Sequence, residues 1–125
     1  ASPPFDLDLS NRSSQSGRLE SISLGSLTTK VTYDPTYGDL TTLATGYSGS
    51  NLYTLDLTFD TVGRISTRKD KVGANPQSSV TYSYDAAGRL IGADGHSYGY
   101  DARGNRTTVD SSTVAGYDAQ DRITR

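Results

Sequence analysis

Apolar and polar residues alternate along much of this chain. Tyr53, Leu55, Leu57 and Phe59 fall on one side of a period of two, and Leu52, Thr54, Asp56 and Thr58 on the other. Val80, Tyr82 and Tyr84 repeat the pattern, as do Val31 and Tyr33. A period of two is the signature of a strand with one face toward an apolar layer. Phe5-Asp6-Leu7-Asp8-Leu9-Ser10 alternates as cleanly, directly after Pro3-Pro4. No stretch has the spacing of a useful helix. The pattern predicts an all-β chain.

The alternating runs end in a recurring motif. Tyr84-Asp85-Ala86-Ala87-Gly88-Arg89-Leu90 returns as Phe59 to Ile65, Tyr100 to Arg106 and Tyr117 to Ile123. Tyr33 to Leu40 is a copy one residue longer, and Ser13 to Leu19 a degraded one. Such repetition sets the architecture and argues against a single active site. Asp followed three residues later by Gly marks a type I turn. Gly in the left-handed region then closes a three-residue hairpin loop. Asp85 thus faces Arg89, and Tyr84 faces Leu90. The same reasoning pairs Asp60 with Arg64, Phe59 with Ile65, Asp118 with Arg122, and Tyr117 with Ile123. Each such cross-strand pair contributes about 0.2–1 kcal/mol. In the copy starting at Tyr100, Asn105 and Arg106 stand where Arg and Leu stand elsewhere. The ion pair is lost there, and Arg106 is expected over Tyr100. Asp121 takes the Gly position of the last turn, and Pro35 opens a wider loop at 34–39.

The turn position recurs at 17, 38, 63, 88, 104 and 121. The shortest spacing holds two strands and a second turn, for which Asp94-Gly95 is the signal. The longer units are expected to carry loops at Gly46 to Asn51 and at Asp70 to Gln77. The expected organisation is an N-terminal strand over 1–12, a candidate assembly strand through Phe5, Leu7 and Leu9, and then a repeat sheet over 13–125 with about six turns.

Composition narrows the picture. Leu, Ile, Val and Phe make up 23 of 125 residues, Ser and Thr 33, and Tyr nine. The low aliphatic share predicts a thin, tyrosine-rich sheet, its tyrosine hydroxyls able to stay wet. The net charge of −2 gives no basic footprint for nucleic acid. There is no Cys and one His, so neither a disulfide nor a zinc site can be assembled. No apolar run reaches membrane-span length and no secretion signal is present. A start at Ala1 fits a processed product or an excised piece. The turn aspartates Asp34, Asp60, Asp85, Asp101 and Asp118 are read as structural rather than as catalytic carboxylates. The oxygen-bearing stretch from Asp70 to Asn75 lacks the ligand count of a calcium loop. No catalytic residue, cofactor or metal is expected.

The motifs resemble the Rhs/YD-repeat family, strongly from Phe59 to Arg125 and more loosely before. That family includes bacterial Rhs polymorphic toxins, wall-associated proteins, the cocoon subunits of insecticidal toxin complexes, and teneurins. The resemblance implies tandem antiparallel hairpins in an extended, twisted sheet, the open part of a β-shell or fibre. It implies a secreted or cell-surface protein. Three roles follow: a structural protein associating head to tail by strand addition, part of a toxin shell enclosing a cargo domain, or a carbohydrate-binding surface module. The chain is short for a closed shell. It also lacks the family's Pro- and Asp-containing cleavage segment, so self-cleavage is not carried over. The expected structural residues are the turn positions Asp60, Gly63, Asp85, Gly88, Asp101, Gly104 and Asp118. With them go the paired Arg64, Arg89 and Arg122 and the aromatics Tyr33, Phe59, Tyr84, Tyr100 and Tyr117.

Overall fold

The computed structural model describes Leu7, Asp8, Arg12 and residues 16–124. These residues form no helix. They form eleven strands: β1 (Leu7–Asp8), β2 (Ser21–Leu24), β3 (Leu27–Tyr33), β4 (Leu40–Tyr47), β5 (Ser50–Phe59), β6 (Ile65–Val72), β7 (Ser78–Tyr84), β8 (Leu90–Ala93), β9 (His96–Tyr100), β10 (Arg106–Val109) and β11 (Ser112–Thr113). The chain divides into two units, residues 1–79 and 80–125. The fold is all-β and antiparallel, as the alternation and the repeat led us to expect.

In the first unit each strand from β1 to β6 pairs with the next. The alternating pattern becomes two unlike faces. Val31, Leu43 and Leu55 stand opposite one another, and beside them run Ile22, Thr29, Thr45 and Tyr53. The reverse face carries Lys30, Ala44, Thr54 and Lys71 in one row and Thr32, Thr42, Asp56 and Lys69 in the next. Hydroxyls cross-link both faces: Thr29 meets Thr45 at 2.8 Å, and Thr42 donates to Asp56 at 3.0 Å. β1 lies on β2 of the same chain, with Leu7 opposite Leu24. Phe5 and Leu9 of the candidate assembly strand lie outside the described residues.

The second unit is a meander from β7 to β11. Tyr84 stands opposite Leu90, and Tyr100 opposite Arg106. Asp94 and Gly95 join β8 to β9 with φ of 51° and 79°, the two left-handed residues of a type I′ hairpin.

Several turns differ from expectation. The loop expected from Gly46 to Asn51 is a two-residue turn, because Ser48 and Gly49 both take positive φ and let β4 and β5 run to Tyr47 and Ser50. β6 likewise continues to Val72, so the loop expected from Asp70 begins only at Gly73. Asp110-Ser111 forms a further tight turn, with φ of 50° and 65°. Neither Ser48-Gly49 nor Asp110-Ser111 carries the Asn-Gly or Asp-Gly signature.

No described side chain is fully buried. With no fully buried side chain among the described residues, backbone geometry at the turns weighs heavily. Gly63, Gly88 and Gly104 have φ of 84°, 81° and 92°. An L-residue pays about 1–2 kcal/mol in the left-handed region. Gly88→Val should therefore destabilise the chain by more than about 1 kcal/mol in chemical denaturation, and Gly88→Asn by less, since Asn tolerates that region best. Equal losses for the two variants would place the cost elsewhere than in φ.

Candidate functional site

The chemistry is concentrated in the repeated turns. Asp85 clasps its loop: Oδ1 accepts the N–H groups of Ala87 and Arg89, both at 2.9 Å, and Oδ2 accepts Arg89 Nε at 2.6 Å. The backbone closes behind it, with Asp85 N–H donating to the Arg89 carbonyl at 3.0 Å. Asp60 holds Val62 and Arg64 in the same way, and Asp118 holds Gln120 and Arg122, each with an Asp–Arg contact of 2.7 Å. In the unit led by Tyr100, Asn105 replaces Arg yet keeps the geometry. Its Nδ2 donates to Asp101 Oδ2 at 3.2 Å and its backbone to Oδ1 at 2.9 Å. The wider turn is held by Asp34, which accepts the N–H groups of Thr36 and Tyr37. Asp121, with φ of 59°, fills the last glycine position and accepts hydrogen bonds from Asn105 and Arg103 of the preceding repeat.

A second set of contacts joins one repeat to the next. Tyr33 Oη donates to the Leu19 carbonyl at 3.0 Å, Tyr100 Oη to Leu90 at 2.5 Å, and Tyr117 Oη to Arg106 at 3.2 Å. Each acceptor is the residue that closes the preceding turn. The arginine before it lies under the same ring: Arg18 is 5.3 Å from the Tyr33 centroid and Arg89 4.8 Å from that of Tyr100. Arg89 therefore clasps its own Asp and carries the next Tyr. Arg18 also donates to the Gly38 carbonyl. Sequence reading missed these stitches by leaving the hydroxyls to solvent. The signal was that Tyr, rather than Phe, leads most repeats. Arg106, expected on Tyr100, lies instead over Tyr98 at 5.6 Å, because Arg89 already occupies the Tyr100 ring.

His96 stands apart from the repeat motif. Its Nδ1 meets Asp110 Oδ2 at 2.7 Å, and Asp110 Oδ1 accepts the Ser97 N–H. The hydrogen bond and charge of Asp110 raise the His96 pKa above its ordinary value, and bonds from His96 and Ser97 lower that of Asp110. Among the described residues no cluster of three His, Cys, Asp or Glu side chains could hold a metal ion.

The aspartates at 60, 85, 101 and 118 are also pushed below the ordinary carboxylate value, first by the N–H four residues on. A lowered folded pKa gives stability that is present above the unfolded value of 3.8 and lost as pH falls through the folded value. Protection of the Arg64, Arg89, Asn105 and Arg122 amides, measured against free-peptide exchange at each pH, should thus fall in acid, and Asp85→Asn should remove the acid step at Arg89 alone. His96 has the opposite sign. Its contribution is complete below 6.5 and fades as pH rises through the raised folded value. Protection of the Ser97 amide relative to free-peptide exchange should fall on the alkaline side in the native chain, and His96→Gln should remove that pH dependence. For the stitches, Tyr100→Phe should cost about 1 kcal/mol through the lost hydroxyl bond. A neutral substitution would show that Leu90 does not depend on it.

The described residues include no helix long and apolar enough to cross a membrane. No curated protein matches this chain. A family model described as the teneurin YD-shell matches residues 5–125. With Asp-led turns closing each hairpin and tyrosines stitching each repeat to the last, the chain belongs to the teneurin YD-shell family.

Proposed function

We propose that this chain is a non-catalytic structural element of the cell surface or extracellular space, a piece of wall in a β-sheet shell built by adding YD repeats strand by strand. The observation that carries this reading is the uncovered apolar face of the first unit. Val31, Leu43, Leu55 and Tyr53 share that face and are only half-buried, and among the described residues of the unit no second layer covers them. Stacked repeats bury surface only against neighbours, so such a sheet is completed by more of its own kind. The YD-shell family points to a structural role, and its domains are in general extracellular or surface-borne. Enclosure of a cargo domain uses the same wall. An open fibre differs from it only in whether the sheet closes.

One observation favours a second activity, carbohydrate binding. Beside the widened turn lies an open groove of about 610 Å³ lined by Arg18, Glu20, Lys30 and Tyr37 among others. Tyr37 is 80% exposed, and an aromatic face beside polar groups suits a sugar ring. Loss of glycan-array signal on Tyr37→Ala, with the fold retained, is the outcome that supports this activity. No signal from the native chain dismisses it.

The wall reading has its own test. Isolated chain should associate with rising concentration in light scattering and bind an apolar dye, and Leu43→Lys should reduce both while leaving the strand signal of circular dichroism. A native chain that stays monomeric and dye-free at high concentration contradicts the reading.

A further inference from the structure

The hairpins of the first unit have two unlike ends. The Asp-led turns at 34–39 and 60–63 stand at one end, among Asp34, Asp39, Asp60 and Arg64. The turns that follow β2, β4 and β6 stand at the other. There Ser48 N–H donates to the Ser26 carbonyl at 3.0 Å, and Gly73 N–H to the Leu52 carbonyl at 2.8 Å. Residues 24–28, 46–53 and 71–79 make up this second end. They contain no Asp or Glu and one charged side chain, the exposed Lys71. They also expose Tyr47, Leu52 and Val72, at 55%, 45% and 54%. Tyr47 lies opposite Leu27, Val72 lies opposite Tyr53, and a bulge inserts Leu52 beside Tyr53, so all three belong to the apolar side of the sheet. The Asp-turn end exposes Tyr37 and Val62 as well, but among carboxylates.

We propose that this acid-free end of the first unit is a docking surface for a lipid bilayer with anionic headgroups, Tyr47, Leu52 and Val72 entering the headgroup layer while Lys71 meets lipid phosphate. The surface goes beyond the wall reading, since it concerns what one rim of the wall touches. Carboxylates are repelled by anionic headgroups and cost free energy to desolvate, and this end has none. Tyrosine and the long lysine chain both suit a boundary that is apolar on one side and wet on the other. Backbone groups that leave water must already be paired. Here Ser48 and Gly49 close a two-residue turn, and the Ser48 N–H that projects from it is held by Ser26. The depth fits too. Leu52 lies three residues beyond Gly49, roughly 10 Å along a strand, which is about the thickness an interfacial element buries. Three half-exposed apolar groups and one cation make the contact shallow and reversible, and its strength follows apolar area plus attraction to anionic lipid.

The test uses the full chain and vesicles of phosphatidylcholine with phosphatidylglycerol. The native chain should co-sediment with them. It contains no Trp, so Tyr47→Trp supplies a single reporter, whose emission should shift to the blue on adding vesicles. Tyr37→Trp, at the acidic end and more exposed in the native chain at 80%, should show no shift. Lys71→Gln should weaken binding to these vesicles about fivefold, the worth of one cation near an anionic surface. Leu52→Ser combined with Val72→Thr should weaken it about tenfold while circular dichroism stays unchanged. A native chain that stays in the supernatant overturns the proposal. So do equal blue shifts at the two reporters and undiminished binding by the Leu52→Ser, Val72→Thr variant. A Tyr47→Trp blue shift on concentrating the chain without lipid also overturns it, because the surface then meets a second copy. The wall test with Leu43→Lys uses no lipid, so the two readings fail separately.

Discussion

Among the described residues no side chain is fully buried, so stability must come from within each sheet. In this chain the interaction that meets that constraint is the aspartate clasp. One carboxylate satisfies two loop N–H groups and orients an arginine. Without the clasp the hairpin would still have its type I turn, but its arginine would lose the carboxylate that orients it. With it, the guanidinium becomes a fixed platform for the next tyrosine. Local turn geometry is thus converted into contact between repeats, which is how stability propagates along a repeat protein.

The repeat variations fit that logic. Asn105 is shorter than Arg and uncharged, yet it keeps the bond to Asp101 and gains one to Asp121. Arg103 then reaches the Asp118 and Ala119 carbonyls in the next turn. Where the platform is missing, other residues of the same repeat carry the connection. The N-terminal copy has lost its lead aromatic but keeps Arg18 under Tyr33. The aspartate clasp and the arginine platform are therefore separable parts.

Most of the fold was legible in the sequence. Alternation through Tyr53 to Phe59 and the recurring Tyr-Asp motif contain the strand period and the turn chemistry, and Asp94-Gly95 carries a known signature. Other features were hidden for physical reasons. Ser48 and Ser111 occupy left-handed positions that sequence preference does not assign to Ser, because hairpin closure outweighs local propensity. The contacts between repeats join residues 10 to 14 positions apart. Strand register, rather than any motif, sets which carbonyl each hydroxyl meets. The apolar and polar faces were readable strand by strand, but that the described apolar side chains of the first unit stay only half-buried appears only in three dimensions.

The central claim is that clasped arginine and following tyrosine act as one unit. A double-mutant cycle measures this directly, with Arg89→Ala, Tyr100→Leu and the double variant compared by chemical denaturation. The account predicts a coupling of about 0.5–1 kcal/mol, the worth of a partly exposed cation–aromatic contact. Additivity of the two losses within about 0.3 kcal/mol would contradict it, and would leave the arginine and the tyrosine as independent contacts.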